Sequence, residues 1–111
     1  MILDKDGTTT IVFQETTSIA DFIQNLEKAY PRIYKDHIIL NLFSFKKLDT
    51  NDILEFLELS NRHRAARKSF VLVSKKISFD DVPEEMCLVP SIQEAKDMIE
   101  MEEIERDLDL S

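Results

Sequence analysis

The chain holds one glycine, one cysteine, no tryptophan and two histidines, and each shortage removes a class of chemistry. Loops that cradle nucleotide phosphates need several glycines for close backbone approach. Gly7 alone cannot build one, which excludes nucleotide sites of the Walker and dinucleotide kinds. A single cysteine leaves no internal disulfide. Cys87 lies in the apolar run Met86-Cys87-Leu88-Val89, the setting of an inert core thiol. His37 and His63 stand 26 residues apart, and no H-x-x-x-H or C-x-x-C spacing occurs, so no zinc site is expected. His37 reads as the opening of a strand, and His63 as a helix residue among arginines. Nucleophilic catalysis needs a base beside Ser, Thr or Cys, and nothing local supplies one; neither catalytic residues nor a cofactor are expected. No apolar run approaches the roughly 20 residues of a membrane helix. The start, MILDKDG, has no basic region followed by an apolar segment, so no signal peptide is visible. Together these features suggest a cytoplasmic protein.

What remains is enough for one globular unit. A length of 111 residues fits one domain, expected to span 1–111. With 43% apolar and 32% charged residues it should fold and stay soluble. A formal net charge of −8 repels phosphate backbones and anionic lipid, so neither nucleic acid nor membrane is an expected partner. The charge is uneven. Residues 100–109 carry six acids, among them Glu102, Glu103, Glu105 and Asp107, against Arg106 alone. Residues 62–68 carry Arg62, Arg64, Arg67 and Lys68 with no acid. Opposite poles favour protein contacts, within one molecule or between copies as a homodimer. Plain solvation of both runs is the competing reading.

The pattern alternates strands and helices. Asp4-Lys5-Asp6-Gly7 separates two β-rich runs and reads as a hairpin turn. In the second run Thr9, Ile11 and Phe13 form the more apolar face and are expected to point at the core. Ser18 caps a helix from Ile19 to about Tyr30, with Ile19, Phe22, Ile23, Leu26 and Tyr30 in one stripe. Pro31 is expected to end it. Ile38 to Phe43 is a buried strand broken only by Asn41. Asp49 or Thr50 then caps a helix from about Asn51 to Arg67, apolar in its first half and running out of the core in its basic second half. Phe70 to Val73 is a second buried strand, expected to lie parallel beside the first. An irregular connection, Lys75 to Glu85, leads to a short edge strand at Met86 to Val89. Ser91 and Glu94 make an S-x-x-E capping box. The helix after it should run to about Met101 or Arg106, with a fraying acidic tail over about 100–111. The sum is an α/β fold: a mixed sheet of four to five strands with helices packed on it.

Two clusters of polar residues invite a chemical reading. Asp80-Asp81 and Glu84-Glu85 flank Pro83 but lack the ordered oxygen spacing of a calcium loop; they read as a solvated connection. Asp49-Thr50-Asn51-Asp52 is the better candidate. It joins a buried strand to a helix start, where backbone amides and the dipole favour negative charge, and a phosphorylated Thr50 would be stabilised there. The ordinary alternative is that Asp49 or Thr50 simply caps the helix.

IILNLFSFKKLDTNDILEFLELSNRHRAARKSFVLV and the later Ser91-Ile92-Gln93-Glu94-Ala95 resemble the core and closing helix of STAS domains, the fold of anti-sigma-factor antagonists and sulphate-transporter tails. The resemblance spans about residues 8–100. It implies a STAS-like mixed sheet and a protein-binding, regulatory role with a kinase-like partner. In that family a D-S-S-G loop precedes the helix, and its second serine is the usual phosphoacceptor. Asp49 matches the aspartate and Thr50 the first serine, while Asn51 and Asp52 stand in the second serine and glycine slots. The resemblance therefore implies a module without the usual phosphoacceptor. The ending VPSIQEAKDMIEMEEIERDLDL is also similar to that of small proteins, mostly from Bacteroidetes, that carry the label ribonuclease Z. Two isolated histidines cannot supply that enzyme's H-x-H-x-D-H motif, so the likeness implies at most a partner. The expected function is a non-catalytic interaction module, with an accessory role beside ribonuclease Z or self-association through the charged poles as the alternatives.

Overall fold

The computed structural model describes residues 1–15 and 17–110. Asp-Gly turn chemistry produces the first feature. Gly7 sits at φ +62°, a left-handed conformation that glycine adopts without a Cβ clash, and folds β1 (Ile2–Asp6) back on β2 (Thr9–Phe13). Then follow α1 (Ile19–Ile33), β3 (His37–Asn41), α2 (Thr50–Leu54), α3 (Leu57–Ala65), β4 (Phe70–Val73), a 3-10 turn (Phe79–Asp81), β5 (Cys87–Val89) and α4 (Ile92–Leu110).

The strands form one sheet in chain order, β1-β2-β3-β4-β5. β1 pairs antiparallel with β2, and every later pair is parallel. This is the expected mixed α/β sheet, with β3 and β4 as parallel neighbours. All residues of β4, and His37 to Leu40 of β3, are buried, as central strands covered on both faces require. One core cluster joins Val12, Leu40 and Leu72 of the sheet to Phe22, Leu26, Ile53, Phe56 and Leu59 of α1, α2 and α3. A second joins Ile39, Val71 and Val73 to Ala95 and Ile99 of α4. Helices α1 to α3 thus cover one face of the sheet and α4 the other.

Several local expectations needed correction. Both faces of β2 are covered: Thr10 and Val12 are buried and Val12 joins the larger core, while Ile11 packs with the smaller one. The Thr9, Ile11, Phe13 face is only half-buried, because the bulkier α1 side chains lie on the opposite side. Pro31 does not end α1 but lies in its last turn. The carbonyl that loses its donor there belongs to Glu27, which is exposed to water. Ser18 caps this helix as expected, accepting from the Asp21 amide at 3.1 Å.

The helix expected over 51–67 is two. α2 ends at Leu54 and α3 starts at Leu57, with no glycine or proline between them. The break turns Phe56 fully into the core, edge-on to Phe22 at 5.8 Å. Such burial is worth about 2–3 kcal/mol, more than the hydrogen bonds lost at a short break. Nor does α3 simply run out of the core, since Leu59, Ser60 and His63 are all buried. Its end is a Schellman motif: Lys68 N–H donates to the His63 carbonyl and Arg67 N–H to that of Arg64. Arg67 takes the left-handed position, φ 64°, that glycine usually fills. The stretch expected to fray is the second half of α4, helical to Leu110.

Candidate functional site

Two places on this frame bring the sequence candidates together. The first is the start of α2, at the C-terminal end of the parallel strands. Asp49 is the cap: its Oδ1 accepts from the Asp52 amide at 3.0 Å, and Asp52 Oδ2 accepts from the Asp49 amide at 3.1 Å. This is a reciprocal capping box with Asp in both roles. Each carboxylate accepts from the other residue's backbone through one of its two oxygens. Thr50 is half-buried and Asn51 exposed. Phe43, on the connection out of β3, is 44% exposed, and Leu54, at the end of α2, is 39% exposed. The surface here carries both signs, with Lys46 and Lys47 exposed on the connection before Asp49 and Asp52, and an apolar residue exposed on the connection and another in α2.

The second place lies at the opposite end of the strands, where α3, α4 and the starts of β3 and β4 converge. Glu102 is the hub. One oxygen takes the Arg64 guanidinium at 2.5 Å and the other the Ser69 hydroxyl at 2.6 Å. Ser69 Oγ in turn accepts from Arg106 at 3.0 Å, and Arg106 also lies 3.7 Å from Glu102. At the next residue, Glu103 meets His37 Nε2 at 2.5 Å. The Ser69 amide donates to His37 Nδ1 at 3.0 Å, so Nδ1 is the acceptor and Nε2 carries the proton that Glu103 accepts.

Beneath this network His63 is fully buried. Its Nε2 lies 2.8 Å from the Asp36 carbonyl, which can only accept, so Nε2 is protonated. Nδ1 then accepts from the Tyr30 hydroxyl at 2.7 Å. Burial pushes the His63 pKa down to about 4 against the opposing pull of the Asp36 carbonyl; His37, Lys68 and Arg106 push the same way as burial. Burial likewise raises the Tyr30 phenol, in keeping with its donor role. The ring is a neutral structural element joining α1, α3 and the turn before β3.

The charged residues singled out from sequence have different fates. Arg64 pairs with Glu102 within the molecule. Arg62 instead forks onto Glu27 of α1 at 2.8 and 2.9 Å and lies over the Tyr30 ring. Arg67 and Lys68 line a shallow cavity of about 300 Å³ with His37, Glu103, Arg106 and Asp107. Glu105 lines a smaller one with Arg64, Arg106 and Asp109. Sequence reasoning missed Ser69, Arg106 and both histidines as connectors. The available signal was Arg106, the lone base in the acidic run 100–109, one turn from Glu102. Cys87 is half-buried, and burial pushes its thiol up to about 11, helped by Glu102 and opposed by Arg64. Among the described residues no group of three or more His, Cys, Asp or Glu side chains is placed to hold a metal ion. None of the described helices is long and apolar enough to cross a membrane.

No family model matches the chain, and no curated protein sequence does. Four solved chains match it in structure. One is RsbS of Moorella thermoacetica, in a variant with a serine replaced by glutamate. It is 15% identical, with a TM-score of 0.61, and the match covers 89% of this chain and 93% of that one. At that identity the likeness is one of architecture. A five-stranded mixed sheet, with α1 to α3 on one face and α4 on the other, gives this chain a STAS-like α/β fold.

Proposed function

We propose that the chain is a non-catalytic, regulatory protein-interaction module that presents the start of α2 and its adjoining loops to a protein partner. One observation carries the reading. At the start of α2 the carboxylates of Asp49 and Asp52 are tied to each other's amides, while the apolar Phe43, on the connection before it, and Leu54, at its end, stay exposed. The box holds the start of α2 in one shape. Exposed apolar side chains before and after such a held helix start are what a partner surface would cover. The site lacks the usual phosphoacceptor, since Asn51 and Asp52 stand in the serine and glycine slots. Partner choice would then rest on shape and charge, without a phosphate switch. A kinase-like regulator and ribonuclease Z are the partners that the two resemblances imply.

The test leaves the box intact. Phe43→Asp and Asn51→Lys change exposed residues outside it, so both variants should keep the wild-type circular dichroism spectrum. Partners cross-linked from native lysate and counted by mass spectrometry should fall severalfold with either variant. An unchanged partner set with both would refute the assignment of this surface. Co-elution of the purified chain with ribonuclease Z separates the two partners. Self-association through the charged poles is the less favoured reading, because Arg64 and Glu102 already meet within one molecule.

A further inference from the structure

The sheet has two edges, and they are not alike. β1 carries Asp4, Lys5 and Asp6, and charged side chains of this kind discourage strand addition. β5 is Cys87-Leu88-Val89, with no charge. Its backbone orientation follows from one bond. Ser74 N–H donates to the Val89 carbonyl at 3.1 Å, so the Val89 polar groups face β4. Partners alternate along a strand, so the N–H and C=O of Leu88, a residue 7% exposed, are directed to the side away from β4. Next to that side lies a cavity of about 580 Å³, to which Phe79, Val82, Pro83, Met86 and Met98 contribute. Phe79 is 69% exposed and also borders a second cavity of about 200 Å³ that reaches Val89. Methionines such as Met86 and Met98 adapt to varied apolar shapes.

We propose that the β5 edge is a docking site for an extended segment of a partner protein, rich in alternating basic and apolar residues and added to the sheet as a sixth strand. This is a different surface from the α2 start, and the two assignments stand or fall separately. The strand supplies the backbone pair at Leu88, the cavity takes the apolar side chains, and charge selects the occupant. Asp80, Asp81, Glu84 and Glu85 are all exposed on the segment beside the groove. Asp80 and Glu84 line the larger cavity, whose lining includes no base. Lys75 reaches only the smaller one. A second copy of this chain is a poor occupant. Pairing β5 with β5 would bring the two sets of carboxylates together, on molecules that each carry −8. A segment with Lys or Arg between its apolar residues meets both requirements.

The experiment titrates the full ¹⁵N-labelled chain with three acetylated nine-residue peptides. One alternates Lys and Val, one alternates Glu and Val, and the third is the Lys–Val peptide methylated on alternate backbone nitrogens. The Lys–Val peptide should shift the Leu88 and Val89 amides, slow hydrogen exchange at Leu88, and bind at least about tenfold more tightly than the Glu–Val peptide. The methylated peptide should lose the Leu88 protection. Phe79→Ala, at an exposed position, should weaken binding about tenfold without altering the fold. Equal binding of the methylated peptide, or shifts that spare Leu88, would mean charge attraction alone and overturn the proposal. Leu88 shifts that depend on protein concentration without peptide, with a dimer in sedimentation, would overturn it in favour of a second copy.

Discussion

Replacing His63 with glutamine removes a fully buried ring that α1, α3 and the turn before β3 share, and with it a specific dependence on pH. The folded ring has a pKa of about 4, against an ordinary value of 6.5. Between those values the unfolded chain binds a proton at this residue and the folded one does not. The unfolded state therefore gains as pH falls, and stability drops from about pH 6.5 towards pH 4. At about 1.4 kcal/mol per pH unit, the gap is worth about 3 kcal/mol once both forms are protonated. Between pH 7 and pH 5 the same linkage gives about 2 kcal/mol. The glutamine variant starts lower, because the Tyr30 hydroxyl and Asp36 carbonyl lose ideal partners, at about 1–3 kcal/mol for each group left unpaired. Its fall from pH 7 to pH 5 should nonetheless be smaller by about 2 kcal/mol, since the two proteins differ only at residue 63. Urea unfolding of both at the two pH values, at constant ionic strength, measures this double difference. Equal losses in the two proteins would refute the reasoning, and so would an NMR titration of the folded His63 ring centred near 6.5.

The remaining predictions concern the ion pairs and the caps. Glu102→Ala strips partners from Arg64, Ser69 and Arg106 at once and should cost about 2 kcal/mol or more in urea unfolding; Arg62→Ala, at an exposed pair with Glu27, should cost under about 1 kcal/mol. The reverse ranking would show that the α3–α4 network is not what holds α4's second half. Asp49→Ala should lower stability by about 1 kcal/mol, while Thr50→Ala, which removes no capping bond, should leave the midpoint nearly unchanged; a larger loss at Thr50 would assign the cap to the wrong residue. Arg67→Gly relieves a non-glycine residue at φ 64° and should raise stability by about 1 kcal/mol, measured as a higher urea midpoint with unchanged slope. No gain would mean that glycine's added freedom in the unfolded chain offsets the backbone relief.

Much of the frame could be read before any coordinates. Asp6-Gly7 specified a turn that little else could satisfy. Ile38-Ile39-Leu40 and Phe70 to Val73 had no polar face to leave in water, which made them central strands. The errors arose where tertiary packing overrode local signals. Nothing between Leu54 and Leu57 breaks a helix by composition; the fit of Phe56 against Phe22 does. His63 stood among arginines and looked solvated, yet it is the side chain that Tyr30 and Asp36 close over. The acidic run after residue 100 looked like a tail because its partners, Ser69 and His37, lie 33 and 66 residues away from the glutamates that meet them. At α2 the residue types were legible and their bonding was not: Asp52 could be placed against the family motif, but its reach back to the Asp49 amide is a matter of geometry.

The sheet's strand order has a consequence for how the chain is made. Each strand pairs with the one synthesised just before it, so the sheet can grow from the ribosome without waiting for distant sequence. Its two faces are not completed together. Helices α1 to α3 emerge between the strands and cover their side as it forms. Ile39, Val71 and Val73 have no cover until α4, which follows every strand, has been translated. During that interval a nascent chain shows a bare aliphatic face beside a finished one. That interval is when a chaperone has most to protect, and a ribosome stalled before α4 would leave the chain at its most aggregation-prone.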